Sequence, residues 1–400
     1  MSGTLILHAD HAAHLAATLR AIDAGEPVFL GNPRWTGSLL AEALRQVPVG
    51  TRTVGAEATA RGLAPCDWPQ AWRGRILIPT GGTGGRVKFA IHDRETLRSA
   101  ALALRDALVS RGHKPKLHGA VLTPPWHVSG LMPAIRARET GGAFRVIDGR
   151  FPSDADLPVV ELPADGTRLA SLVPTQLARL LARADGESWL RQFDVILLGG
   201  ASVPTSLLAE IRARRLPVAL TYGMTETAAA AALAWVCDAA AEGLLAGTAL
   251  PGTRFTNEQG RISVFSPSLC HGYWPATPMA APFDTGDLGV VEQGKVRVTG
   301  RADRVIITGG EKVDPARVEA TLTAPGLAKA AIVLGLPDGQ WGQQLVATVV
   351  ASPSLESQLR AAAERLLEPA ARPRRYLFVE ELPYDARGKI DAERLGRLWA

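Results

Sequence analysis

Residues 80 to 88 read Thr80-Gly81-Gly82-Thr83-Gly84-Gly85-Arg86-Val87-Lys88. The four glycines let a backbone bend tightly and bring its N–H groups close to a ligand; the threonines add hydroxyls, and Arg86 and Lys88 add positive charge. Such a loop can cradle phosphates, although a glycine cluster is more often a plain turn. Three rival patterns fail. A Walker loop needs glycine just before its lysine, where Val87 stands, and the Rossmann G-x-G-x-x-G spacing does not fit. Gly200-Ala201-Ser202-Val203-Pro204 ends in proline where a hydrolase nucleophile elbow needs glycine. Three further groups could do chemistry: Tyr222-Gly223-Met224-Thr225-Glu226-Thr227, with a ring, a hydroxyl and a carboxylate; Thr285-Gly286-Asp287; and Lys389. Each also has an ordinary reading, as a core tyrosine, a helix cap, a turn aspartate and a surface lysine.

The elements around them alternate. Thr4 to Leu7 and Pro27 to Leu30 read as strands, and His11 to Asp23 and Gly37 to Arg45 as helices. Arg75 to Pro79 is a buried-type strand leading into the glycine loop, and a helix follows from Asp93 to Ser110. Strands at Gly119–Leu122, Phe144–Ile147, Leu169–Val173, Val195–Leu198 and Val218–Tyr222 alternate with helices such as Thr175–Ala184 and Thr205–Arg214. The fold class expected is α/β, with a mainly parallel, helix-covered sheet. After residue 245 turn residues come at close intervals, and Arg261–Phe265 and Lys295–Thr299 read as strands of a small antiparallel region. From Val305 a compact α+β unit follows. The expected division is a large domain, 1–300, and a small C-terminal domain, 301–400.

Composition narrows the classes. The chain has 400 residues, 46% hydrophobic and 21% charged, which fits a folded protein of two or three domains. The net charge of +5 is spread without blocks, which argues against a nucleic-acid binder and suits the handling of polyanions. Cys66, Cys237 and Cys270 have no metal-ligand spacing, so no structural zinc is expected, and they fit a reducing compartment. The first residues lack a basic leader or a long apolar run, so a cytoplasmic protein without a membrane span is expected. Self-association is left open.

Five segments, in order, resemble the acyl-adenylate-forming superfamily of acyl-CoA synthetases, luciferases and adenylation domains. Thr80 to Lys88 is similar to its phosphate loop, T-S-G-T-T-G-x-P-K, and Tyr222 to Glu226 match Y-G-x-T-E. Thr285 to Asp287 match T-G-D; Gly300-Arg301-Ala302-Asp303-Arg304 with Gly309-Gly310-Glu311-Lys312 resemble the hinge motif; and Arg387-Gly388-Lys389 resemble the C-terminal lysine motif. The resemblance implies roles. Thr80, Gly81, Gly82, Thr83, Gly84, Gly85 and Lys88 would hold the phosphates of ATP. Tyr222 would stack on adenine, with Gly199-Gly200-Ala201 as the opposite wall and Gly223 and Met224 beside it. Thr225 would donate to the α-phosphate, Glu226 would hold Mg²⁺, and Asp287 and Arg301 would meet the ribose. Asp303 would be the hinge of a mobile C-terminal lid, Gly309 and Gly310 would line the CoA tunnel, and Lys389 would reach the α-phosphate and the carboxylate. The loop departs from the family at Gly84, Val87 and Phe89, where threonine, proline and glycine are usual.

Pro124-Pro125-Trp126-His127-Val128-Ser129-Gly130 resembles the family's substrate-side motif, P-x-F-H-x-x-G, which would place His127, Ser129 and Gly130 at the acyl pocket. This wording and the short N-terminal region resemble the o-succinylbenzoate–CoA ligases of menaquinone and phylloquinone synthesis, above all their short cyanobacterial forms. Their acid has two carboxylates, so a basic group should meet the one that does not react; Arg136 and Arg138 are the candidates. The implied reaction is AMP-forming: carboxylate and ATP give an acyl-adenylate, and CoA then takes the acyl group. Rival readings are a different aryl- or acyl-CoA ligase, an adenylating enzyme that loads a carrier protein, a nucleotide-binding protein without catalysis, and an α/β-hydrolase.

Overall fold

The structure, a computed structural model, describes residues 3–35, 37–55, 72–81, 87–152, 155–238, 247–275, 277–324, 326–384 and 390–399. Among them the strands make four sheets. In a seven-stranded sheet, Thr4–Ile6, Val28–Leu30, Arg52–Val54 and Ile76–Gly81 pair in parallel. Ile76–Gly81 then returns as an antiparallel hairpin, Val87–His92, onto which Gly272–Trp274 is added. The two strands of this hairpin carry the glycine loop between them.

The second sheet has eleven strands and two halves. Leu117–Val121, Phe144–Val146, Thr167–Leu172, Val195–Leu198 and Val218–Met224 pair in parallel. From Val218–Met224 onward every pairing is antiparallel, through Ala229–Trp235, Gly247–Ala249, Lys295–Arg301 and Phe283–Glu292. The antiparallel strands expected after residue 245 are present, but they extend the large sheet and do not form a separate small one. Parallel pairing is confined to the first half. Buried apolar clusters sit between the sheets and the helices, one around Ile6, Leu30, Ile78, Trp126 and Leu131, and another around Leu172, Leu198 and Trp189.

Several elements were not expected, and three of them have a clear physical reason. Val87–His92 is a strand because its alternation is hidden: Val87, Phe89, Ala90, Ile91 and His92 are all buried and only Lys88 faces solvent. Val128–Glu139 is a helix despite Pro133 in its interior, where proline removes a hydrogen bond. Ala229–Trp235 is a strand of mostly alanine, a poor strand former, held by pairing on both sides. The helix expected from Asp93 is Arg94–Val109; Asp93 caps it, accepting from Thr96 N while Asp93 N–H donates to the Thr96 hydroxyl.

Beyond Arg301 the strands form their own small sheets, Ile306–Thr308 with Glu311–Val313, and Ala330–Asp338 with Gly342–Val350 and Arg375–Val379. Their buried cluster draws on Ile306, Val318, Val333, Ala347 and Leu359. Among the described residues no helix is long and apolar enough to cross a membrane.

Candidate functional site

The motif Tyr222 to Glu226 lies at the seam of the large sheet. Its strand pairs in parallel with Val195–Leu198 and antiparallel with Ala229–Trp235, and the register shifts between Tyr222 and Gly223. The glycine is required there: a Cβ at Gly223 would stand 1.6 Å from the carbonyl oxygen of Ala229. The chain then makes a 3-10 turn, Thr225–Thr227, in which the Thr227 hydroxyl receives the Met224 N–H at 3.0 Å. Gly199 and Gly200 follow the neighbouring strand. A Cβ on Gly199 would be 2.0 Å from the Thr221 hydroxyl, so its bare backbone packs against the Tyr222 strand. Ala201 beside it is exposed.

Residues far apart in sequence meet at Tyr222. Its hydroxyl donates to Asp287 Oδ2 at 2.7 Å, and Arg301 Nη1 donates to Asp287 Oδ1 at 3.1 Å. Arg301 also grips Asp303, through Nε at 3.0 Å and Nη2 at 2.9 Å. Asp287 is almost fully buried, and burial pushes its carboxyl above the usual range. The Tyr222 hydroxyl is raised by burial and by the facing Asp287 charge, and the Arg301 guanidinium is raised by its hydrogen bond to Asp303. The register explains the meeting: Asp287 and Arg301 are cross-strand partners on adjacent antiparallel strands. The pairing reaches Asp303, in the turn that leads to the C-terminal sheets.

A second group forms around Glu226, which is 7% exposed. Tyr273 donates its hydroxyl to Glu226 Oε1 at 2.7 Å, and the Lys88 ammonium stands 5.4 Å from the centre of the same ring. The turn is fixed from the glycine-loop side: His92 Nε2 lies 2.8 Å from the Thr225 carbonyl and its Nδ1 lies 3.0 Å from the Thr96 hydroxyl. With a carbonyl as partner, Nε2 carries the proton. Burial lowers the imidazole to about 4, so it is neutral. Cys270 N–H donates to the Glu226 carbonyl at 2.8 Å. Tyr273, His92 and the Cys270 backbone were not foreseen, because a tyrosine in a short strand and a histidine after an aliphatic run carry no spacing signal.

Of the loop, Thr80 and Gly81 lie at the end of the strand Ile76–Gly81, and Lys88 at the start of its partner. Gly82, Thr83, Gly84, Gly85 and Lys389 lie outside the described residues. Gly309 and Gly310 form the exposed turn between Ile306–Thr308 and Glu311–Val313, both with positive φ.

At the acyl-side motif, His127 is the residue before the helix Val128–Glu139, and its ring leaves the helix end uncapped. The imidazole lies 6.2 Å from the fully buried Trp126. The spacing to Gly130 is steric: a Cβ there would approach the Pro124 carbonyl oxygen to 2.2 Å. Ser129 is half-buried. The two candidate arginines separate. Arg138 does not fit the role assigned to it: it is 37% exposed and both carboxylate oxygens of Asp23 accept from it at 2.7 Å, so its charge is already answered at the surface. Arg136 is 4% exposed, its Nε has no hydrogen-bond partner, and among the described residues no carboxylate pairs with it. Burial alone lowers it to about 10. It stands one and two turns along the helix from Met132 and Ser129, on the same face.

Residues 9–274 match the family AMP-binding enzyme, and residues 317–389 match the AMP-binding enzyme C-terminal domain. The chain belongs to the AMP-binding enzyme family. A probable 2-succinylbenzoate–CoA ligase of Mycobacterium tuberculosis is 34% identical over 349 residues, 81% of this chain and 84% of the relative. Indoleacetate–CoA ligase of Aromatoleum aromaticum is 32% identical over 81% of this chain and 67% of the relative. The o-succinylbenzoate CoA synthetase of Bacillus subtilis, solved with the acyl-adenylate intermediate OSB-AMP, superposes with a TM-score of 0.77 over 98% of this chain and 88% of that one, at 22% identity. That likeness bears on the fold.

Proposed function

We propose that the chain is an ATP-dependent acid–thiol ligase that activates o-succinylbenzoate as an acyl-adenylate and transfers the acyl group to CoA, in the cytoplasm. The observation that carries the ligase reading is the convergence of Tyr222, Asp287 and Arg301 at the sheet seam, next to a Thr225–Glu226 turn tied to the glycine-loop strand. Nucleotides bind α/β sheets at such strand ends. Tyr222 and Gly199–Ala201 would flank adenine, and Asp287 would exchange its present partners for the ribose hydroxyls. Lys88 and the loop N–H groups would offset the repulsion between an anionic nucleophile and a polyanion. Glu226 suits a magnesium ion: it is a buried carboxylate with Oε1 held by Tyr273, and Oε2 accepts no hydrogen bond among the described residues. Such an ion would supply positive charge to offset the negative charge of the phosphates.

The dicarboxylate reading rests on Arg136. Among the described residues no carboxylate answers the buried Arg136 charge, and a buried charge that has lost its partner costs on the order of 3–5 kcal/mol. A substrate carboxylate brought against Arg136 would offset that cost. Residues 301–400 would be the lid, turning at Asp303, with Lys389 reaching the α-phosphate in one orientation and Gly309–Gly310 facing CoA in the other. The test is pyrophosphate release with o-succinylbenzoate, benzoate, indoleacetate and an aliphatic acid, with and without CoA. Turnover of o-succinylbenzoate alone supports the proposal. A preference for a monocarboxylate removes the acid assignment, and adenylation without transfer to free CoA favours a carrier-protein acceptor.

A further inference from the structure

We propose that Tyr273 is a positioning residue that sets both charged groups of the phosphate site, its hydroxyl orienting Glu226 and its ring holding the Lys88 ammonium. This deepens the ligase reading and rests on it for the identity of the ligand, magnesium-bound ATP.

The case begins with the strand. Gly272–Trp274 is an added edge on Val87–His92, with Tyr273 opposite Ala90 and Trp274 opposite Phe89. Successive residues of a strand face opposite sides. Trp274 faces the core: its indole donates to the Gln46 carbonyl at 2.6 Å and its ring meets Trp72 edge-on at 4.7 Å. Gln46 in turn donates to the Val87 carbonyl at 2.8 Å, which ties this anchor to the start of the loop strand. With Trp274 fixed, Tyr273 is directed to the opposite side, where Glu226 and Lys88 stand.

One side chain therefore performs two separable tasks. The hydroxyl occupies Oε1 of Glu226, and that hydrogen bond selects a single carboxylate rotamer with Oε2 presented to a cation. The ring face attracts the Lys88 ammonium and limits the arc of a flexible chain. Without the ring, Lys88 and Glu226 could close on each other as an ion pair, and both would be lost to the ligand.

Double-mutant calorimetry tests this. Mg·ATP binding is measured on the full chain for wild type, Tyr273→Phe, Glu226→Gln and the double variant, with no acid present. Tyr273→Phe keeps the ring and is expected to weaken Mg·ATP binding about tenfold, the size of one charge-assisted hydrogen bond. ATP binding without magnesium should change less than about twofold. In the Glu226→Gln background the Phe substitution should add nothing, because the carboxylate it orients is gone. Tyr273→Leu removes the ring as well and should weaken magnesium-free ATP binding too. Equal effects of Tyr273→Phe with and without magnesium, or full additivity with Glu226→Gln, overturn the proposal. Should Tyr273→Phe not fold, Glu226→Asp decides: it keeps the charge but draws the carboxylate back from the hydroxyl, so the same magnesium-specific loss is expected and its absence overturns the idea. Because binding is read without turnover, a wild type that binds Mg·ATP but releases no pyrophosphate with any acid defeats the ligase reading and leaves the Tyr273 result intact.

Discussion

At the scale of single residues, the clearest contrast is between Arg136 and Arg138, two positions apart on one helix. One is buried with its Nε unpaired and the other is exposed and held by Asp23. Arg136→Ala is expected to raise KM for o-succinylbenzoate by about tenfold to a hundredfold, the worth of a charged hydrogen bond in a dry site. KM for ATP should stay level, and Arg138→Ala should change neither constant; steady-state kinetics with both substrates varied checks this. Removing a buried charge that meets no carboxylate among the described residues should also stabilise the free protein, seen as a higher urea midpoint for Arg136→Met. Buried histidines give a pH signature. His14 and His92 are both lowered to about 4 by burial. Between pH 6.5 and 4 the unfolded chain binds protons that the folded chain refuses, so stability is full above 6.5 and falls as pH drops through that window. Each group contributes a slope approaching about 1.4 kcal/mol per pH unit. Urea midpoints from pH 7 to 4.5 should show this, and His92→Asn should make the dependence shallower.

At the scale of elements, the site depends on joints between strands. His92 joins the glycine-loop hairpin to the Thr225–Glu226 turn across 133 positions of sequence. His92→Ala leaves the Thr225 carbonyl without its donor, and a loss of about 1–3 kcal/mol in folding stability is expected. If the joint positions the turn, KM for ATP should rise more than KM for the acid, with part of the loss restored in His92→Gln. Much of this level was legible in the sequence. Tyr222, Glu226, Asp287 and Arg301 were legible through the resemblance of their motifs to a known family, since taken singly they read as core, cap or turn chemistry, and the strand–helix alternation showed the parallel half of the large sheet. Other features were illegible for physical reasons. The alanine strand Ala229–Trp235 is made by pairing and not by propensity, the helix Val128–Glu139 tolerates a proline because every residue from Gly130 to Ala137 is packed in place, and Tyr273 and His92 act through contacts more than 40 positions away.

At the scale of the whole molecule, the ribose-side pair and the turn toward the C-terminal sheets share one guanidinium, since Arg301 bonds both Asp287 and Asp303. The Asp314 carboxylate packs against the bare backbone of Gly300, where a Cβ would stand 2.5 Å from its oxygen, so a side chain from beyond Arg301 also rests on the last strand of the large sheet. If residues 301–400 act as a lid, Lys389→Ala should abolish adenylation and spare thioester formation from supplied adenylate; equal loss in both half-reactions would remove that role. Asp303→Pro should instead slow the second half-reaction by fixing one orientation, with ATP-dependent pyrophosphate release preserved.

The unbroken eleven-stranded sheet sets limits on how this protein can be divided. A fragment ending at residue 238 would keep Tyr222 and Glu226 but lose Asp287 and Arg301. It would also uncover the flank of Ala229–Trp235, five of whose seven residues are buried in the intact sheet. Raw, uncharged strand flanks recruit one another. Such a half would clump before it could be assayed, whereas a division near Asp303, where the small C-terminal sheets begin with a cluster of their own, offers two pieces that each keep their strands covered.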